Sequence, residues 1–206
     1  MRIDLDRRSS TLRILAALSV AAFAAACNRQ SDVAADKFQY VDITGVEIGG
    51  EFQLTDHNGR HRSLSDFRGK VTAIFFGFTH CPDVCPTALA ELAQTAKQLG
   101  RQGDEMQVLF ITVDPARDTQ EVLAQYVPAF DPRFLGLYGD PATTAKVAAE
   151  YKVFFAAQRP NASGNYTVDH TAGVFLIDRG GRPRLYVGGG RTVDGLVHDI
   201  RLLLQG

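Results

Sequence analysis

The stretch "VTAIFFGFTHCPDVCPTALAELAQTAKQLG", residues 71–100, decides how the chain is read. Val71–Phe76 is a continuous run of strand length, apolar but for Thr72, the pattern of a strand buried on both faces. Leu89, Leu92, Ala93, Ala96 and Leu99 then recur at helical intervals, and Gly100 supplies a stop. Pro86 has no N–H to donate, so it fits the start of that helix and puts Cys85 near its N-cap. A strand therefore runs into a helix through "CPDVC". Cys81 and Cys85 are separated by three residues, where a redox pair would normally have two.

Outward from this stretch, strand and helix patterns alternate from Gly49 onward. "EFQLTD" (51–56) and "RHRSLSDF" (60–67) flank "HNG", a hairpin signal. "MQVLFITVD" (106–114) is a second buried strand. "RDTQEVLAQYV" (117–127) has Asp118 and Glu121 at capping-box spacing and predicts a helix. "FLGLYG" (134–139) predicts a short strand, "DPATTAKVAAEY" (140–151) a helix with Pro141 early in it, and "VFFAA" (153–157) an extended segment. "TAGVFLID" and "RPRLYVGG" around "GG" form a hairpin, and "TVDGLVHDIRLLLQ" (192–205) is a closing amphipathic helix. The order implies an α/β sandwich that resembles the thioredoxin-like fold: a central mixed sheet flanked by helices, with an N-terminal β-hairpin.

The first 26 residues differ from the rest. "MRIDLDRRSSTLR" carries four arginines and two aspartates, and Ile14–Ala26 is apolar over 13 residues. Crossing a bilayer takes roughly 20 residues of helix, so a cleaved export signal is expected over 1–26 in preference to a permanent span. "AAAC" at its end resembles a bacterial lipobox with Cys27 as the lipidated residue, although Ala24 stands where that motif usually has Leu. An ordinary signal cut nearby would leave Cys27 a stray thiol. Arg7-Arg8 fits twin-arginine export, but paired arginines are common in such segments. Residues 27–46 read as a tether and 47–206 as the folded domain. The chain has 206 residues with a net charge of −1 and no Lys/Arg block, which gives nucleic-acid binding no electrostatic support. Export would place the thiols in an oxidising compartment.

Cys81 and Cys85 at a helix start are competent for disulfide exchange and for metal binding alike. Unpaired N–H groups and the helix dipole favour a thiolate there. A metal needs a third ligand, and the chain offers five histidines. His57 and His61 lie at the first hairpin and are expected to be solvated; His198 lies on the last helix and is expected at the surface. His80 adjoins Cys81 and could stand behind the ligands, but a packing or hydrogen-bonding role is expected in preference. His170 opens the strand expected beside the cysteine-bearing one. In "VDHTAG" it stands near where thiol oxidoreductases of this fold usually carry a cis-proline. Two thiolates and an imidazole suit Cu(I) best and zinc second. The Gly188–Gly190 run opens no phosphate loop, because no G-x-G-x-x-G pattern starts a helix there.

"FFGFTHCPDVCPT", "ITVDPARDT", "YTVDHTAGVFLID" and "GGEFQLTDHNGRHRSLSDFRGK" together resemble the Sco/SenC family, from about residue 47 to the C-terminus. The resemblance implies a thioredoxin-like copper metallochaperone, not an enzyme in the main, that assembles cytochrome c oxidase. By resemblance Cys81, Cys85 and His170 are the copper ligands, for Cu(I) and also Cu(II). It also implies delivery to the CuA centre of oxidase subunit II, a periplasmic copper donor, and anchoring to the bacterial inner membrane, here through lipid at Cys27, with the domain facing the periplasm. Asp169, Asp83 and His80 are candidates for contacts behind the ligands or with the partner. Asp114, Pro115, Arg117 and Asp118 match a family motif and are expected to shape a turn. The competing reading is a thiol–disulfide oxidoreductase that uses Cys81 and Cys85 to reduce the oxidase subunit or other exported proteins. A peroxidase is disfavoured, since "FFGFTH" lacks the proline of a peroxidatic cysteine motif.

Overall fold

The structure is a computed structural model and describes residues 37–206. The export signal and the lipidation of Cys27 lie outside the described residues. In chain order the strands are β1 (Val41–Asp42), β2 (Leu54–Asp56), β3 (His61–Arg62), β4 (Val71–Gly77), β5 (Met106–Thr112), β6 (Leu135–Tyr138), β7 (Phe155–Ala157), β8 (Val168–His170), β9 (Val174–Ile177) and β10 (Pro183–Val187). The α-helices are α1 (Val84–Gln98), α2 (Gln120–Tyr126), α3 (Pro141–Glu150) and α4 (Val193–Gln205).

The apolar runs behave as buried strands must. Every residue of β4 and of β5 is buried. They pair in parallel with Phe75 opposite Phe110, and β9 joins β4 on its other edge, antiparallel, with Ile74 opposite Phe175. The sheet order is β1-β10-β9-β4-β5-β6-β2-β3, a mixed sheet with a parallel centre. Neighbouring side chains on β4 face opposite ways. Phe75 meets Phe110 at 6.2 Å on one face, where a Cβ at Gly136 of β6 would lie 3.2 Å from Leu123 of α2. Phe76 meets Tyr151, at the end of α3, at 5.5 Å on the other. α1 packs beside α4. β7 and β8 form a separate two-stranded ribbon, with Phe155 opposite His170. None of the described helices is long and apolar enough to cross a membrane.

The N-terminal hairpin forms where "HNG" implied, but His57 is buried there, not solvated. Its Nδ1 accepts the Gly136 N–H at 3.0 Å, and its own N–H donates to the Gly136 carbonyl at 2.9 Å. The imidazole thus ties the hairpin to β6, and burial lowers its pKa. Asp56 closes the turn: it accepts the Asn58 and Arg60 N–H groups and the Arg62 side chain. Gly59, at φ +78°, takes the left-handed position.

Two further boundaries differ from expectation. The compact unit starts at Phe38, inside the segment read as tether. The reason is Asp199 on α4, which is fully buried and accepts the backbone N–H groups of Gln39 (2.9 Å) and Tyr40 (3.1 Å). The Tyr40 hydroxyl accepts the Thr192 N–H, and Val41–Asp42 adds to the edge of β10. His198, partly exposed as a surface residue should be, lies 2.8 Å from the same carboxylate. Composition gave no sign of this, because the partner of a polar segment is a carboxylate far along the chain. The second boundary is at α2. Its N-cap is Thr119, whose hydroxyl accepts the Val122 N–H; Asp118 is employed elsewhere.

Removing Asp199 would leave two backbone N–H groups with no acceptor beside a buried site. Asp199→Ala is expected to lower stability by about 2–4 kcal/mol, read as a shift in the urea midpoint of the purified protein. An unchanged midpoint would mean that residues 38–42 add nothing to the fold.

Candidate metal centre

β4 ends at Gly77, and the chain turns through Phe78–Asp83 into α1. Helical geometry begins at Val84, so Cys85 is already the second helical residue and Pro86 the third, still within the tolerant first turn. Asp83 holds the N-cap position without a side-chain cap bond. This registry points Cys85 inward. It is fully buried, while Cys81 in the loop is partly exposed. Gly77 makes the inward position available: a Cβ there would lie 2.8 Å from Cys85 Sγ and 2.8 Å from the Phe110 ring.

His170 ends β8 and does not open the next strand, as had been expected. Its ring stands edge-on to Phe78 (5.8 Å) and Phe75 (6.2 Å). Its Nδ1 lies 3.1 Å from the Thr171 carbonyl oxygen. A carbonyl only accepts, so Nδ1 carries the proton and the Nε2 lone pair is bare. Nε2 faces Cys85 Sγ at 3.5 Å. Across the whole cluster the two sulfurs and the imidazole nitrogen lie within 4.8 Å of one another. A soft metal with bonds of roughly 2.0–2.3 Å would be held by these three atoms once they stood somewhat closer than that maximum. No other cluster of three or more metal-ligating groups occurs among the described residues.

The electrostatics differ from the helix-start argument. Burial outweighs the dipole: the Cys85 thiol is pushed well above its ordinary value by desolvation, only partly offset by the Phe78 backbone N–H. Burial likewise lowers the His170 pKa. In the metal-free protein the pair is a neutral imidazole facing a neutral thiol.

The remaining candidates separate clearly. Asp169 is exposed and accepts a hydrogen bond from Gln158 across the ribbon; strand alternation turns it away from the imidazole. Asp83 is exposed, 3.4 Å from the Thr87 hydroxyl. His80 is about half exposed, with Nδ1 3.1 Å from the Thr79 hydroxyl and 3.9 Å from Asp118. Asp118 is the group that the sequence reading misplaced. It is fully buried, and it accepts the Thr79 hydroxyl (2.6 Å), the Thr79 N–H (3.0 Å) and the Thr112 hydroxyl (2.6 Å). It thereby fixes the chain two residues before Cys81. An acidic residue at the close of "TVDPARD", directly after a buried strand, was a visible sign of such a role. Tyr126, packed against Phe110 at 5.9 Å, also went unread, and its buried hydroxyl lacks a hydrogen-bond partner.

Compared with known proteins, residues 42–205 match the SCO1/SenC family model. The chain belongs to the SCO1/SenC family. The human mitochondrial SCO2 homolog is 40% identical over 154 residues, covering 74% of this chain and 58% of that protein. An SCO2-like protein of Rickettsia prowazekii is 41% identical over 138 residues, 66% of this chain and 67% of that one. The chain thus spans under three fifths of the mammalian relative's length. Among solved structures, Bradyrhizobium japonicum ScoI with copper bound superposes with a TM-score of 0.70 at 44% identity, over 76% of this chain and 99% of that one. Yeast Sco1 with copper bound does so with 0.72 at 33% identity, over 78% and 90%. The thioredoxin-like arrangement expected from the sequence is therefore the fold of this protein.

The shifted groups set a pH window for the metal-free protein. Cys85 holds its proton in the fold, so stability falls as pH rises past the unfolded thiol's value of about 8.5. His170 and His57 resist protonation in the fold, so stability also falls as pH drops below about 6.5. Urea unfolding across this range is expected to give a plateau between the two values, and Cys85→Ala is expected to flatten the alkaline limb. An alkaline limb of unchanged slope in that variant would reassign the proton.

Proposed function

We propose that the protein is a copper carrier of the Sco type that holds copper through Cys81, Cys85 and His170. The observation that carries this reading is the convergence of two free thiols and a bare imidazole Nε2 within 4.8 Å, in a family with copper-bound members. Two sulfurs and one nitrogen suit Cu(I), and the imidazole helps retain Cu(II). A three-coordinate set leaves one side open to an incoming ligand, which is what a carrier needs in order to release its cargo. The Sco family has been described as one of cytochrome c oxidase assembly proteins, and assembly of that oxidase is the role proposed here. The finer reading is delivery to the CuA centre of subunit II, after loading by a periplasmic donor. Export by residues 1–26 and lipidation at Cys27 would hold the domain at the periplasmic face of the inner membrane.

Copper content and X-ray absorption of the purified protein test the ligand set. One copper per chain is expected, with sulfur and nitrogen neighbours. His170→Ala is expected to weaken Cu(I) binding by more than about 100-fold, a ligand costing more than a group behind one. Unchanged affinity would remove His170 from the site. Copper transfer to an apo CuA domain tests the recipient, and no transfer would overturn the delivery step.

A second reading, reduction of disulfides in the oxidase subunit or other exported proteins, draws on the proximity of the two free thiols. The buried, protonated Cys85 opposes fast general exchange. Turnover of a generic disulfide substrate well below that of thioredoxin is expected; comparable turnover would favour the oxidoreductase.

A further inference from the structure

We infer that Arg117 and Arg191 are positioning residues, two struts that fix the His170 segment against the cysteine-bearing elements and so set the spacing between imidazole and thiols. The inference rests on the copper reading just given.

His170 reaches the cysteines from a short ribbon outside the main sheet, so its distance from them is not fixed by sheet hydrogen bonds. Each flank of the histidine is instead held by a guanidinium. Upstream, Arg117 Nη1 donates to the Tyr166 carbonyl at 2.8 Å, and the guanidinium lies 3.6 Å from the centre of the Tyr166 ring. Downstream, Arg191 Nη1 donates to the Ala172 carbonyl at 3.3 Å. Each arginine is also paired with a carboxylate on the cysteine side. Arg117 Nε meets Asp114 Oδ2 at 2.5 Å, in the turn where Asp118 grips Thr79 before Cys81. Arg191 Nε meets Glu91 Oε2 at 2.5 Å, on α1, the helix that starts around Cys85. One strut thus ties His170 to the loop of Cys81, and the other ties it to the helix of Cys85.

Three details support a positioning role over generic surface pairing. Arg191 is only 8% exposed, so its bonds form largely out of water, where a lost partner costs more. The Tyr166 hydroxyl closes the first strut by donating to Asp114 Oδ1 at 2.8 Å. The Arg117 guanidinium also lies 5.9 Å from the centre of the Phe78 ring, the ring that stands edge-on to the imidazole. A planar fork that bonds a carboxylate with one edge and a carbonyl with another is a task lysine cannot copy.

The test combines a double-mutant cycle with a metal-free readout. Cu(I) affinity is measured by chelator competition for the parent protein, Arg117→Ala, Arg191→Ala, His170→Ala and the two double variants. Each arginine variant is expected to weaken binding by roughly tenfold with His170 present and by less than about twofold in the His170→Ala background. In the metal-free protein, amide hydrogen exchange over residues 166–172 is expected to accelerate in both variants. The visible thiolate-to-Cu(II) absorption of the loaded protein is expected to shift toward that of His170→Ala. Where an alanine variant does not fold, Arg117→Lys or Arg191→Lys takes its place with the same expected signs. Equal losses in both backgrounds, or unchanged exchange at 166–172, would overturn the strut assignment. A parent protein that binds no copper, or a His170→Ala variant of parental affinity, would instead overturn the copper reading. The exchange result would then still decide whether the arginines hold the segment.

Discussion

The contact on which the rest of the molecule turns is the seating of Cys85 Sγ against the backbone of Gly77. No other residue type could occupy position 77 without displacing the sulfur or the Phe110 ring. Given that contact, the first turn of α1 lies directly on the sheet, Cys85 is sealed from water, and the imidazole that faces it is packed between Phe75 and Phe78. Of the three candidate ligands, His170 is therefore packed against core aromatic rings and Cys85 against Gly77. The metal centre and the hydrophobic core are continuous, and the low dielectric that stabilises one raises the thiol proton affinity of the other.

Much of this was legible in the sequence, for identifiable reasons. Apolar runs and helical spacing are local signals. They gave β4, α1, β5 and the closing hairpin with its helix. The convergence of Cys81, Cys85 and His170 was also legible, because cysteine and histidine are rare here and each carries distinctive chemistry. What failed was whatever depended on a distant partner. His57 was expected in solvent because its own surroundings are polar; the backbone of Gly136, 79 positions away, gives it a buried acceptor role. Residues 38–46 were expected in a tether because the carboxylate that binds them is on the last helix. Asp118 fitted a capping pattern, but three donors from two other segments claimed its oxygens first.

The protonation of Cys85 shows the same competition between local and tertiary effects. A helix start favours thiolate by a local field, and sequence reasoning can see that field. Desolvation is set by what packs over the sulfur, which the sequence does not display. Here desolvation is the larger effect. The consequence extends to function. A thiol kept protonated until a soft cation replaces its proton is protected from stray oxidation, while remaining able to bind a metal.

The unequal exposure of the two cysteines also gives the site a front and a back. Cys81 in its loop and His170 at the end of its ribbon are both partly open to solvent, whereas Cys85 lies behind them, sealed against Gly77. An ion held by this trio would therefore be reached from the side of Cys81 and His170, with Cys85 the least accessible of the three. Depth thus gives the site a direction: its approach is lined by Cys81 and His170, and Cys85 is its floor.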